Sequence, residues 1–134
     1  MGQADPEAMA SWTSLLALHL RRLCHTETGD PRLRLAFDAV RRNLAHPWTL
    51  NELTDLAGLS DEHLRRLCLV EHGHSPMAHV TQLRMQHAAS LLPSGRYTVA
   101  EVAHRVGYDN PFAFSTAFRR TQGASPSTLR RSGR

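Results

Sequence analysis

The strongest constraint on this chain is an internal repeat, in which TLNELTDLAGLSDEHLRRLCLVEHGHSP from Thr49 lies on TVAEVAHRVGYDNPFAFSTAFRRTQGASP from Thr98. Thr49 pairs with Thr98, Glu52 with Glu101 and Gly58 with Gly107 at one constant offset. After one inserted residue in the second copy, Leu64 pairs with Phe114, Cys68 with Phe118, Gly73 with Gly123, Ser75 with Ser125 and Pro76 with Pro126. A chain that keeps polar caps, turn glycines and apolar positions in step twice over is built from two copies of one supersecondary unit.

The residue types say which unit. Each copy opens with a threonine followed three residues later by glutamate, so that the hydroxyl can accept a free helical N–H while the carboxylate returns to the threonine N–H. A short helix then runs to Gly58 or Gly107, where a tight turn needs a positive φ. Ser60 and Asp109 are placed to cap the helix that follows. Leu53, Ala57, Leu59, Leu64 and Leu67 in the first copy, and Val102, Val106, Tyr108, Phe114 and Ala117 in the second, supply the apolar contacts between two steeply crossed helices. The pattern predicts helix-turn-helix units over 49–72 and 98–122. Between them Pro76 to Leu92 reads as one helix, with proline in its first turn and Pro93-Ser94-Gly95 closing it. At about 1.5 Å per residue it spans about 25 Å, a scale suited to holding two recognition helices near successive major-groove faces about 34 Å apart.

Upstream, Pro6 to about His25 reads as an amphipathic helix with Trp12, Leu15, Leu16, Leu20 and Leu23 near one stripe. Gly29-Asp30-Pro31 ends it, and a further helix is predicted from Arg32 to Ala45, its apolar faces supplied by Leu33, Leu35, Phe37, Val40 and Leu44. Strand-type alternation is absent, so the fold class is all-α. The predicted organisation is an N-terminal helix and linker over 1–30, followed by a DNA-binding domain over 31–134. With 134 residues, 41% of them hydrophobic, the chain can build one core or two small ones sharing a helix. The N-terminal stripe must be covered either by a second copy, making residues 9–23 a homodimer contact, or by the chain's own domain.

No apolar run approaches the roughly 20 residues of a membrane span, and the N-terminus lacks a signal-peptide pattern, so a soluble, cytoplasmic protein without membrane contact is expected. Cys24 and Cys68 are the only cysteines, which suggests neither a disulfide framework nor a four-ligand zinc site. All sixteen basic residues are arginine. That choice suits bidentate recognition of phosphate and guanine, and is equally what a GC-rich genome would produce. The charge is uneven: Pro111 to Arg134 holds five arginines and no acid, whereas Thr49 to Glu71 holds two arginines and five acids. The basic footprint therefore lies at the C-terminal end.

With Leu64, Leu67 and Cys68 turned inward, Glu62, His63, Arg65 and Arg66 face outward on the first recognition helix as candidate base readers. Arginine can bridge guanine O6 and N7, and glutamate can accept from cytosine N4. The matching positions of the second copy are Pro111, Phe112, Ser115 and Thr116, which offer few bonds to base edges. Phe112 could meet a thymine methyl or fill core. Arg119 and Arg120 read as phosphate contacts, as does Ser60 at the start of its helix. An enzyme is not indicated, because no phosphate loop, nucleophile elbow or carboxylate pair is present. Cys68, His72 and His74 could in principle ligate a metal, but a core cysteine beside two surface histidines is the plainer account, so no metal or cofactor is expected.

From about Leu33 to Arg131 the chain resembles the DNA-binding domain of the AraC/XylS family of bacterial transcription regulators, through LNELTDLAGLSDEHLRRLC, RMQHAASLL and VAEVAHRVGYDNPFAFSTAFRRTQGASPSTLRR. Cys68, Thr54, Thr116 and Leu129 depart from the residues usual in that family. The resemblance implies a tandem helix-turn-helix fold, double-stranded DNA and RNA polymerase as partners, and activation rather than repression. It also marks Arg84 as a position the family keeps basic, for a phosphate or a buried ion pair. Many members carry a preceding sensor domain, leaving open a short stand-alone regulator and one whose sensor is missing. The alternative from another class is a helical protein-interaction module that has lost DNA affinity.

Overall fold

Local capping starts both repeats. In the computed structural model, which describes residues 29–132, the Thr49 hydroxyl accepts from the Glu52 N–H at 3.3 Å and the Glu52 carboxylate accepts from the Thr49 N–H at 3.1 Å. Thr98 and Glu101 repeat the exchange at 3.1 and 3.2 Å. Among the described residues the helices in chain order are α1 (Pro31–Arg42), α2 (Leu50–Ala57), α3 (Asp61–His72), α4 (Pro76–Leu91), α5 (Val99–Arg105), α6 (Pro111–Gln122) and α7 (Pro126–Ser132), with a 3-10 turn, Leu92–Ser94, after α4. No strand occurs among the described residues. Gly58 and Gly107 make the turns of the two units at φ 68° and 95°, a region costly for any side-chain-bearing residue.

Two hydrophobic clusters share the connecting helix α4. Leu33, Ala36, Phe37 and Val40 of α1 pack with Leu53, Leu64 and Cys68 of the first unit, and α4 contributes Val80 and Leu83. Further along the same helix, Met85 and Ala88 turn to the second cluster with Val102, Val106, Phe114 and Phe118. Because its two ends serve different cores, α4 carries no single apolar stripe. Thr54, buried in the first cluster, is satisfied by donating to the Asn51 carbonyl at 2.8 Å.

Three local expectations need correction. α6 is capped by Asn110, whose side chain accepts from the Phe112 N–H at 2.8 Å, and not by Asp109. The reason is Pro111: proline occupies the first helical position, so the residue before it must be the cap. Leu35 is 62% exposed, because the buried face of α1 runs through Leu33, Ala36, Phe37 and Val40, and a residue two places from Leu33 lies on the opposite side. α1 also stops at Arg42 rather than Ala45, giving way to turns in which Asn43 N–H donates to the Val40 carbonyl and His46 N–H to the Asn43 carbonyl. The Trp12 to Leu23 stripe lies outside the described residues. No helix among the described residues is long and apolar enough to cross a membrane.

Candidate nucleic-acid interface

The second helix of the first unit is held by its inner face, which frees its outer one. Leu64 and Cys68 of α3 are fully buried, while Glu62, Arg65 and Arg66 are exposed and His63 is half-buried. Ser60 caps the helix, its oxygen accepting from the His63 N–H at 3.2 Å, which leaves the hydroxyl proton for an outside acceptor. Arg66 and Glu62 approach only to 4.0 Å at one helical turn, with side chains 67% and 89% exposed, an arrangement too open to fix either group. Arg65 has no partner among the described residues, so its fork of donors is available.

The second unit repeats this arrangement with different chemistry. Phe114 and Phe118 anchor α6, and Phe112, Ser115, Thr116, Arg119 and Arg120 line one shallow surface hollow of about 370 Å³. Phe112 is 82% exposed, so it does not fill core. The Thr116 hydroxyl donates to the Phe112 carbonyl at 3.0 Å, which spends its proton on its own helix. Pro111 is exposed at the helix start. Arg119 and Arg120 are exposed and close the lip of the hollow, giving it two cationic forks beside an apolar ring.

Arg84 faces inward. Its Nε donates to the Leu44 carbonyl at 3.0 Å and an Nη to the His46 carbonyl at 2.7 Å, and its guanidinium lies 6.0 Å from the centre of the Tyr108 ring. Burial lowers its pKa from the ordinary arginine value. Two of its five donors are thus given to main-chain carbonyls, which makes Arg84 an internal clamp. Arg130 makes a similar one, donating to the Tyr97 carbonyl at 2.8 Å and the Gly95 carbonyl at 3.4 Å. His46 and Gly95 both stand three residues before the capping threonines, so each unit has the segment leading into it gripped by an arginine. One of the five C-terminal arginines thereby has donors engaged within the domain.

Cys68 and the two nearby histidines are placed in different surroundings. Cys68 is fully buried, and burial, with a smaller contribution from the Glu71 charge, pushes its thiol up to about 11, so it stays protonated. His72 and His74 instead meet His79 of α4, a residue not singled out in the sequence. His79 stacks on His72 with centroids 4.0 Å apart, its Nδ1 pairs with His74 Nε2 at 2.7 Å, and the edge of Phe37 closes the site at 4.5 Å. Stacked rings 15° from parallel do not aim their nitrogens at one point. Among the described residues no group of three metal-ligating side chains is placed to hold an ion.

Two helix-turn-helix units on a shared helix, each presenting an exposed, arginine-bearing second helix, define a tandem helix-turn-helix domain of the DNA-binding class. A family model described as a helix-turn-helix domain matches residues 53–132. An AraC-like transcription regulator of Streptomyces lividans is 33% identical across 96% of this chain and 44% of its own length. The C-terminal domain of AraT, a response regulator from Geobacillus stearothermophilus, superposes with a TM-score of 0.69 at 35% identity over 76% of this chain and 85% of that one. The DNA-binding domain of AdpA, solved in complex with a target DNA, superposes equally well at 28% identity over 75% and 90%. The chain belongs to the AraC/XylS family of helix-turn-helix transcription regulators. It spans less than half the length of the curated relatives it matches.

Proposed function

We propose that this domain binds double-stranded DNA sequence-specifically and regulates transcription, with α3 and α6 entering adjacent major-groove segments. The observation that carries this reading is the pairing of two exposed recognition helices whose outer faces hold unengaged arginines while their inner faces are locked in separate cores. The two helices divide the work. Glu62, His63, Arg65 and Arg66 on α3 can make directional bonds to base edges, whereas Phe112 and the methyl of Thr116 on α6 offer apolar contact, with Pro111 and Ser115 beside them. Arg119, Arg120 and the Ser60 hydroxyl address phosphates.

Activation through contact with RNA polymerase, action in the cytoplasm and a homodimer through residues 9–23 complete the proposal by family likeness and by the apolar stripe. Site selection from random duplexes, with wild type and with Arg65→Ala, Arg66→Ala and Thr116→Ala, tests it. Loss of Arg65 or Arg66 should cost about 1 to 3 kcal/mol on the preferred site and relax one or two base positions, and loss of Thr116 much less. A protein that enriches no sequence and binds no duplex at low salt is instead the helical interaction module.

A further inference from the structure

Arg84 grips the first half of the domain and lies beside the turn of the second. Its two hydrogen bonds hold the Leu44 and His46 carbonyls, in the segment that leads from α1 into the first helix-turn-helix. On its other side sits the turn of the second unit. A Cβ built on Gly107 would lie 3.0 Å from the Leu44 carbonyl oxygen and 3.2 Å from the Arg84 guanidinium, and the next residue, Tyr108, presents its ring to the same group. Glycine is required there twice over, by its φ of 95° and by this approach. The two cores do not merge, so the contact of Gly107 and Tyr108 with Arg84 and Leu44 is a direct bridge between the halves besides α4 itself.

We infer that Arg84 is a positioning residue: by pinning the Leu44–His46 segment against the Gly107 turn it fixes α6 relative to α3, and so sets the separation of half-sites that the domain accepts. The inference rests on the DNA-binding reading for its consequence but not for its geometry. The planar guanidinium presents Nε and Nη donors at a fixed separation to the two carbonyls; a lysine ammonium is a single point on a flexible stem and holds no such fixed pair of directions.

Two measurements on the full chain test this. The first places spin labels at Asp55→Cys on α2 and His104→Cys on α5, both exposed positions, in a Cys24→Ser background, and records the distance distribution without DNA. The wild-type clamp should give one narrow distribution, and Arg84→Met and Arg84→Lys broader ones at unchanged helical circular dichroism. The second compares binding to the selected site with sites lengthened or shortened by one base pair between the half-sites, a change that turns one half about 34° around the duplex. Wild type should lose about tenfold in affinity, and Arg84→Lys less than about threefold relative to its own best site. Equal distance distributions in wild type and both variants, or an unchanged spacing penalty in a folded variant, would overturn the assignment. If Arg84→Met fails to fold, Arg84→Lys carries both comparisons. A wild type that binds no duplex sinks the DNA reading alone, and the distance distributions then decide the role of Arg84.

Discussion

Lowering the pH from about 7 to about 5 should destabilise this domain through one residue, His79. The ring is 8% exposed, packed against Phe37 and His72, and its Nε2 has no hydrogen-bond partner. Burial first, then the His72 and His74 imidazoles and the Arg41 guanidinium, push its pKa down to about 3. In the unfolded chain the same group titrates near 6.5. The folded state therefore binds fewer protons than the unfolded one throughout the interval between those values. Stability is full above about pH 6.5, falls as pH drops through it, and goes on falling until about pH 3. For one group with these two values the loss between about pH 7 and pH 5 is about 2 kcal/mol, a large share of the 5 to 15 kcal/mol usual for a domain. Urea unfolding of wild type and His79→Met at both pH values isolates the effect, since methionine fills an irregular apolar site and does not titrate. Wild type should lose about 2 kcal/mol more than the variant over this interval, and parallel losses would refute the argument.

Three other outcomes follow from the same geometry. Arg119→Ala with Arg120→Ala should weaken binding to all duplexes alike and flatten the slope of log K against log salt by about one to two units, measured by titration at several salt concentrations. Gly58→Ala should cost about 1 to 2 kcal/mol for its positive φ alone, since nothing lies within 4 Å of the added carbon, whereas Gly107→Ala should cost more because its Cβ meets the Leu44 carbonyl; urea midpoints of the two variants give the comparison. Sedimentation of the full chain at micromolar concentration should show a dimer if residues 9–23 pair two copies, and a clean monomer removes that proposal.

The parts of this fold legible in the sequence are those whose cause is local. A capping threonine, the glutamate three residues on and a turn glycine act within one helical turn, so their recurrence announced both units. Asn110 was missed because Asp109 is also a good cap; the adjacent Pro111, which must stand first in its helix, distinguishes them. The clamps left no such mark. Arg84 and Arg130 are held by carbonyls more than thirty residues earlier in the chain, and a main-chain carbonyl has no residue type to read. On sequence alone Arg84 is open between a phosphate contact and a buried ion pair, and only the direction of its donors shows the clamp.

His79 is the intermediate case, and it shows what pattern can still deliver. Pro76, His79, Val80 and Leu83 stand at the spacing of one helical face, and all four are buried. Periodicity thus places an imidazole on an apolar stripe, even though its residue type argues for the surface. When spacing and residue type disagree in this way, spacing decides position, because a helix cannot turn one side chain out of its face. Residue type then decides the consequence: a titratable ring with an unpartnered nitrogen stays in the core only as the neutral form.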